Sequence, residues 1–383
     1  MVTFRPGSHV SKLVALLSFV GEYPFWSLDL LGSERVYKAL IVRLTQPEHF
    51  VNSQTGAEMD CRLFNLTGKG TAKSVRLYKR ALPMLEWVHP RAYSYYMNAF
   101  WQHRFPGDEG HRERHFRVAE MAAMFMRAGF EVCPYLLPEL QNDRRAVIVP
   151  EEPSLYLSRA LKSVGMDDAN KTKFTRVTGA AFAGGSPYAV YNTRNAVMKW
   201  QGRGEFKALA SLTDIVRLNV GTEKTEAAIL LGKSPKVALE TVLDTPHPHR
   251  RDLRFDAVFP CVHFVPMDGD GIRQLKIMAV PNWKERILDA LFLPETRSYG
   301  IGRFEYDACV EGGYVFSHLD SDLNRLIRFK EAIEHMPGPF EVLCFPHQVE
   351  FLREYLEGRA VIKTIGLEAI EQAFEIKESD TFE

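Results

Sequence analysis

Glu205-Phe206-Lys207 sets a carboxylate two residues from an amine. A Mg²⁺-dependent nuclease uses that pairing, with a second acid, to hold its metal and activate water. Asp214 or Glu223 would supply the second acid. Two features weigh against this reading. No Asp or Glu occurs from Ala169 to Gly204, where the preceding strand should carry the first acid, and Glu375-Ile376-Lys377 repeats the pattern in the tail. An exposed charge pair at a helix start is the simpler expectation. His111 and His115 are spaced to bind a metal from one helix face, but Arg112, Arg114 and Arg117 around them repel cations. Asp268-Gly269-Asp270-Gly271 lacks the length and terminal Glu of an EF-hand loop. It reads as a turn opening a helix with Asp270 as cap. Cys344, before Pro346-His347, reads as a buried strand cysteine.

A different chemistry is written near the N-terminus. The segment from Ser33 to about Gln46 (SERVYKALIVRLTQ) reads as a helix with Val36, Leu40 and Leu44 turned inward and Ala39 beside them. Glu34, Arg35 and Lys38 fall on the solvent side, flanked by Tyr37 and Thr45. Arg35 and Lys38, in its N-terminal half, suit base edges in a major groove. Arg43, Lys69 and Lys73 suit phosphates, which set affinity and its salt dependence. Ser33 is placed to cap the helix, whose N-terminus favours phosphate. A fold of the same kind used for protein contacts is the alternative.

These groups need elements to hold them. Val10, Leu13, Val14, Leu17 and Val20 have the spacing of a buried helical stripe, capped by Ser8. A turn over Gly21 to Pro24 and a short helix ending at Leu30-Leu31-Gly32 lead to the helix at Ser33. A strand pair around Ser53-Gln54-Thr55-Gly56 follows. In order this is a winged helix-turn-helix over 1–80. A helical connector with short strands is expected over 81–150, including the helix His111 to Ala128. An α/β domain, of one or two subdomains, is expected over 151–375, with an acidic tail at 376–383. Within it Tyr188 to Trp200 reads as a hairpin turning at Asn192-Thr193-Arg194-Asn195. The last third alternates strands and helices, and the fold class expected is α+β.

Charge supports a divided chain. The formal net charge is zero, so the whole molecule gives no pull towards nucleic acid. Residues 1–80 carry eleven Lys and Arg against six acids, whereas 331–383 carry twelve acids against four bases. A basic head with an acidic tail fits DNA binding at the head. Five scattered cysteines without a CxxC pair argue for a reducing cytoplasm and against a structural zinc. No signal peptide and no run of ~18–20 apolar residues is read, so a cytoplasmic protein without membrane contact is expected.

Leu30-Leu31-Gly32, its spacing to Leu40 and Leu44, and Asn65-Leu66-Thr67-Gly68-Lys69-Gly70 opening a helix resemble the winged-helix end of the replication-relaxation family. These are proteins of plasmids and integrative elements. A helix carrying His115 and Val118-Ala119-Glu120 is similar to that family's middle segment. The resemblance covers about residues 8–130. It implies double-stranded DNA as partner, in replication or transcription control of a mobile element. Many members continue into a domain similar to restriction-type nucleases. Gly221-Thr222-Glu223 matches a Gly-Thr-Glu run there, but the position two residues earlier, where an acid is expected, is Asn219. The expectation is a DNA-binding protein without a cofactor, its C-terminal domain serving a protein partner or self-association. The alternatives are a Mg²⁺-dependent nuclease using Glu205, Lys207, Asp214 and Glu223, and a protein-interaction scaffold.

Overall fold

The computed structural model describes residues 1–100, 103, 105, 108–132, 153–159, 176–184, 186–197, 205–206, 212, 227–244, 258–298, 300 and 304–376. The fold is α+β. The chain divides into two compact units, residues 1–127 with 132–142, and residues 128–131 with 143–383.

The first unit is built around α1 (His9–Val20). The Ser8 hydroxyl caps it by accepting from the Ser11 amide at 3.3 Å. Leu13, Val14, Leu16 and Leu17 are all fully buried. A helix apolar on every side belongs in a core, and helices α3 (Ala92–Ala99) and α4 (Glu109–Arg127) pack against it. The strands before and after α1 form two small three-stranded sheets. In one, β1 (Val2–Phe4) runs parallel to β3 (Glu48–Asn52), which forms a hairpin with β4 (Glu58–Cys61). In the other, β6 (Ser74–Leu77) lies between β2 (Glu22–Pro24) and β5 (Phe64–Thr67), all antiparallel. The sequence suggests a turn at 21–24, but Glu22–Pro24 is this strand, immediately after α1.

A 3₁₀ segment, Phe25–Leu31, then leads to α2 (Glu34–Arg43). Its Ser27 hydroxyl donates to the buried carboxylate of Glu120 on α4 at 2.6 Å, and Trp26 packs edge-on against Phe116. The segment before α2 is thereby fixed to the core of the unit.

The second unit contains a six-stranded sheet in the order β12-β11-β10-β9-β8-β7: β7 (Glu131–Val132), β8 (Ser154–Leu157), β9 (Gly179–Ala183), β10 (Ser186–Arg194), β11 (Ala227–Gly232) and β12 (Cys261–Pro266). Strands β8, β9 and β10 form an antiparallel meander, and β10, β11 and β12 are parallel. The expected hairpin turn at Asn192 to Asn195 is instead the end of β10. That strand turns back on β9 through Gly184, whose φ of +56° is cheap only for glycine. Asn192 and Thr193 are buried, and the Thr193 hydroxyl donates to the Leu231 carbonyl on β11.

Helices α5 (Pro235–Leu243) and α6 (Gly269–Met278) follow β11 and β12. Asp268, not Asp270, caps α6, accepting from the Gly271 amide at 3.0 Å. Next come α7 (Trp283–Leu291) and a four-stranded sheet, β13 (Ala308–Val310), β14 (Gly313–Ser317), β15 (Phe340–Cys344) and β16 (Val361–Thr364). Helices α8 (Leu323–Ile333), α9 (Val349–Leu356) and α10 (Leu367–Ala373) complete the strand–helix alternation read from the sequence. The loop from β14 to α8 is tied to β12, where Phe264 N–H donates to the Ser321 carbonyl at 3.0 Å and His263 pairs with Asp322. No helix among the described residues is long and apolar enough to cross a membrane.

Candidate functional site

Helix α2 buries little of itself. Tyr37 and Ile41 are its buried residues, with Leu44 just beyond its end. The expected inward stripe of Val36, Leu40 and Leu44 is rotated by one residue. Val36 is 42% exposed, while Tyr37 is buried with its ring 5.0 Å from that of His9 on α1. Both stripes fit helical spacing; the larger aromatic takes the interior. The outward face therefore carries Val36, Ala39 and Val42 between Arg35, Lys38 and Arg43. These exposed apolar residues were not foreseen, because a second apolar stripe one step away hid them.

The candidate DNA contacts have different surroundings. Ser33 occupies the N-cap position and is exposed, but its side chain makes no capping bond. Arg35 is exposed and makes no hydrogen bond or ion pair among the described residues. Lys38 pairs with Glu34 one turn back at 2.5 Å, and Arg43 with Glu48 at 2.9 Å. Exposed pairs of this kind are worth ~0–1 kcal/mol, so either cation can exchange its partner for a phosphate. Lys73 lies with its ammonium 4.0 Å from the centre of the Phe25 ring, at the start of the segment before α2. Lys69 is exposed in the turn after β5. The tip of the β3–β4 hairpin, 53–58, is exposed, and the Asn52 side chain shapes it by accepting from the amides of Gln54 and Thr55.

Glu205, in the second unit, is fully buried. Its two oxygens accept from the Tyr191 hydroxyl at 2.8 Å and the Arg176 amide at 3.0 Å. Burial and the neighbouring carboxylate push the Tyr191 hydroxyl well above its ordinary range. To hold a metal, Glu205 would have to release both donors at a fully buried position. Neither β9 nor β10 carries an acid. Lys207, Asp214 and Glu223 lie outside the described residues. Glu205→Ala is expected to destabilise the unit by about 1–3 kcal/mol, because the buried Tyr191 hydroxyl and the partly buried Arg176 amide lose their acceptor. Urea titration of the variant checks this, and an unchanged midpoint would show that the bonds contribute nothing.

The histidine pair does not converge on one partner. His111 hydrogen-bonds Asp108 at 2.5 Å, whereas His115 packs against the rings of Phe100 and Phe105. Among the described residues no three His, Cys, Asp or Glu are grouped to hold a metal ion.

A second polar centre escaped the sequence altogether. Arg325, on the first turn of α8, donates to Asp320 at 2.7 Å, Asp307 at 2.7 Å and Glu305 at 3.0 Å. Glu305 also accepts from Arg328, and Asp307 from the Ser317 amide. Burial alone would raise Asp320, but Arg325 and then Lys284 hold its carboxyl well below the usual range. Burial raises Asp307 despite Arg325. His263 donates from Nδ1 to the Asp320 carbonyl at 2.7 Å. Burial pushes both His263 and His318 down to about 4. Burial, with Asp322 beside it, pushes the Cys261 thiol up to about 12, so it is neither a ready nucleophile nor a thiolate ligand at neutral pH. Asp320-Ser321-Asp322 was the only local signal. Apart from Arg325, its partners Val262 and His263 come from a segment about sixty residues away.

No family model matches the chain, and no curated protein or solved structure does either.

Proposed function

We propose that the first unit binds double-stranded DNA through α2, as a winged helix-turn-helix, in a protein that controls replication or transcription of a mobile element in the cytoplasm. One observation carries the proposal: α2 buries only Tyr37 and Ile41 and turns a mixed basic and apolar face outward. A helix that needs little of its surface for the core has the rest free for a groove. Arg35 and Lys38 suit base edges, and Val36, Ala39 and Val42 suit thymine methyl groups. The order α1, β2, 3₁₀ segment, α2, hairpin supports this reading, with the 3₁₀ segment leading into α2 and the hairpin following it. Arg43, Lys69 and Lys73 would hold phosphates. The mobile-element part of the proposal rests on the resemblance to the replication-relaxation family. The second unit would then serve a protein partner or self-association.

Full-length protein titrated with labelled duplex DNA across a salt series tests the reading. Three phosphate contacts, from Arg43, Lys69 and Lys73, give a log–log slope of roughly −2.7, on the order of 40-fold weaker binding at 200 mM than at 50 mM salt. Arg35→Ala should relax sequence preference, whereas Lys69→Ala should weaken all duplexes alike and flatten the slope by about one. No duplex binding at 50 mM salt, or binding indifferent to an Arg35→Ala/Lys38→Ala/Arg43→Ala variant, would make α2 a protein-contact surface instead.

A further inference from the structure

The second unit holds a cavity of about 420 Å³ among α7, β12, the segment before β13 and the β14–α8 loop. Five carboxylates and three cations line it, and most of them are already satisfied by one another. Arg325 and Arg328 are engaged by Glu305, Asp307 and Asp320, and Glu285 is held by Arg297 at 2.6 Å. Two charged groups remain. Asp322 is fully buried; its Oδ1 accepts from the amides of Val262 and Asn324, its Oδ2 has no N–H or O–H donor among the described residues, and the Cys261 thiol lies beside the carboxylate as a weak donor. Lys284 lines the same cavity and makes no hydrogen bond or ion pair with a described residue. Burial works against the Lys284 charge, but Asp320 and Asp322 keep its ammonium above its ordinary range. Ser298 and Tyr306 also line the cavity, and their hydroxyls make no hydrogen bond with a described residue.

A buried carboxylate oxygen without an N–H or O–H donor is costly, and so is a shielded ammonium without an acceptor. The two together set the chemistry of a complementary ligand. A simple anion would satisfy Lys284 but meet an excess of carboxylates. A simple cation would satisfy Asp322 but face the ammonium of Lys284. A molecule carrying both charges a few ångströms apart answers both. We propose that this cavity binds a small zwitterion of the α-amino-acid class, with its ammonium on Asp322 Oδ2 and its carboxylate on Lys284 Nζ. The Ser298 and Tyr306 hydroxyls add donors to the carboxylate, and Ile287 and Leu288 offer an apolar wall to a side chain. The volume lies at the small end of ligand pockets, roughly 300–1,000 Å³.

The test is calorimetric titration and thermal shift of the full-length protein with each proteinogenic L-amino acid, and with the methyl ester and N-acetyl form of any that bind. The expected result is saturable binding of at least one amino acid, with a Kd of about 1 mM or tighter, and loss of binding on either blocking group. Lys284→Met and Asp322→Asn should each weaken it at least tenfold. Asparagine keeps the Oδ1 acceptor for Val262 and Asn324, so the cap on α8 survives. If either variant fails to fold, the blocked ligands decide the matter on the wild-type protein. Absence of any amino-acid response overturns the proposal. So does equal binding of the blocked forms, or a response that persists in both folded variants.

Discussion

Arg325→Met is expected to destabilise the second unit by about 3–5 kcal/mol, the range for breaking a buried ion pair from one side. The guanidinium contacts Asp307, Asp320 and Glu305, and the first two carboxylates are only 5% and 6% exposed. Methionine can fill the volume of the stem but leaves two carboxylates in the interior without a counter-charge. Part of the loss will be softened by protonation, since burial already raises Asp307. Arg325→Lys should recover only part of the stability, because one ammonium cannot present a planar fork to three acceptors. Arg297 supplies the contrast. It also bridges two acids, Glu285 and Asp289, but those side chains are 60% and 64% exposed. Water can solvate them once the guanidinium is gone, so Arg297→Met should cost below about 1 kcal/mol through its ion pairs. Urea unfolding of the three variants and wild type at pH 7 separates the cases. Equal midpoints for Arg325→Met and Arg297→Met would refute the buried network as a source of stability.

The same distinction explains what could be read from the sequence. Features set by neighbours in the chain were legible. Ser8 capping α1, the apolar residues of α1 and the strand–helix alternation after Ala257 all depend on spacing within a few residues. Where two local solutions competed, spacing did not choose. Val36-Leu40-Leu44 and Tyr37-Ile41-Leu44 are both helical stripes, and the ring of His9, from another helix, favours the second. Asp268 and Asp270 could each cap α6, and only the position of the Gly271 amide settles it. β10 failed for a related reason. Asn192 to Asn195 has turn-forming residues, but pairing with β11, dozens of residues later, keeps Asn192 and Thr193 inside the sheet. The cluster around Arg325 is mostly of this long-range kind, Asp320 being its one near neighbour in the chain among the three acids it contacts. Its acids come from the segment before β13 and from the β14–α8 loop, and Lys284 from α7. Charged residues so placed look like ordinary surface in the sequence until the fold encloses them.

Acid should unfold the second unit earlier than its carboxylates alone would predict. His263 and His318 are fully buried, with exposures of 0% and 1%, and titrate near 4 rather than at the ordinary 6.5. Burial is the leading cause in each. Lys284 adds to it at His263, and Arg325 and His263 add to it at His318, while Asp320 and Asp322 pull both back towards the charged form. Between pH 6.5 and 4 the unfolded chain binds protons that the folded chain refuses, so stability falls as pH falls. It is whole above about 6.5, and the loss is complete once pH drops through the folded value. For each imidazole a shift of that size is worth about 3 kcal/mol. The two are coupled, since protonating one raises the cost of charging the other, and the His318 value already carries the repulsion from His263. A loss of 3–6 kcal/mol over this window is comparable to the whole stability of many domains, ~5–15 kcal/mol. Asp320 contributes in the same direction only at lower pH, because its carboxyl lies well below its ordinary range. Urea midpoints at pH 7 and pH 4.5 measure the effect. His263→Asn can keep a side-chain N–H for the Asp320 carbonyl while removing the titration, and should flatten the pH dependence by about half, as should His318→Asn. A wild-type protein equally stable at both pH values, or variants with the wild-type slope, would mean that these imidazoles take up protons without loss of the fold.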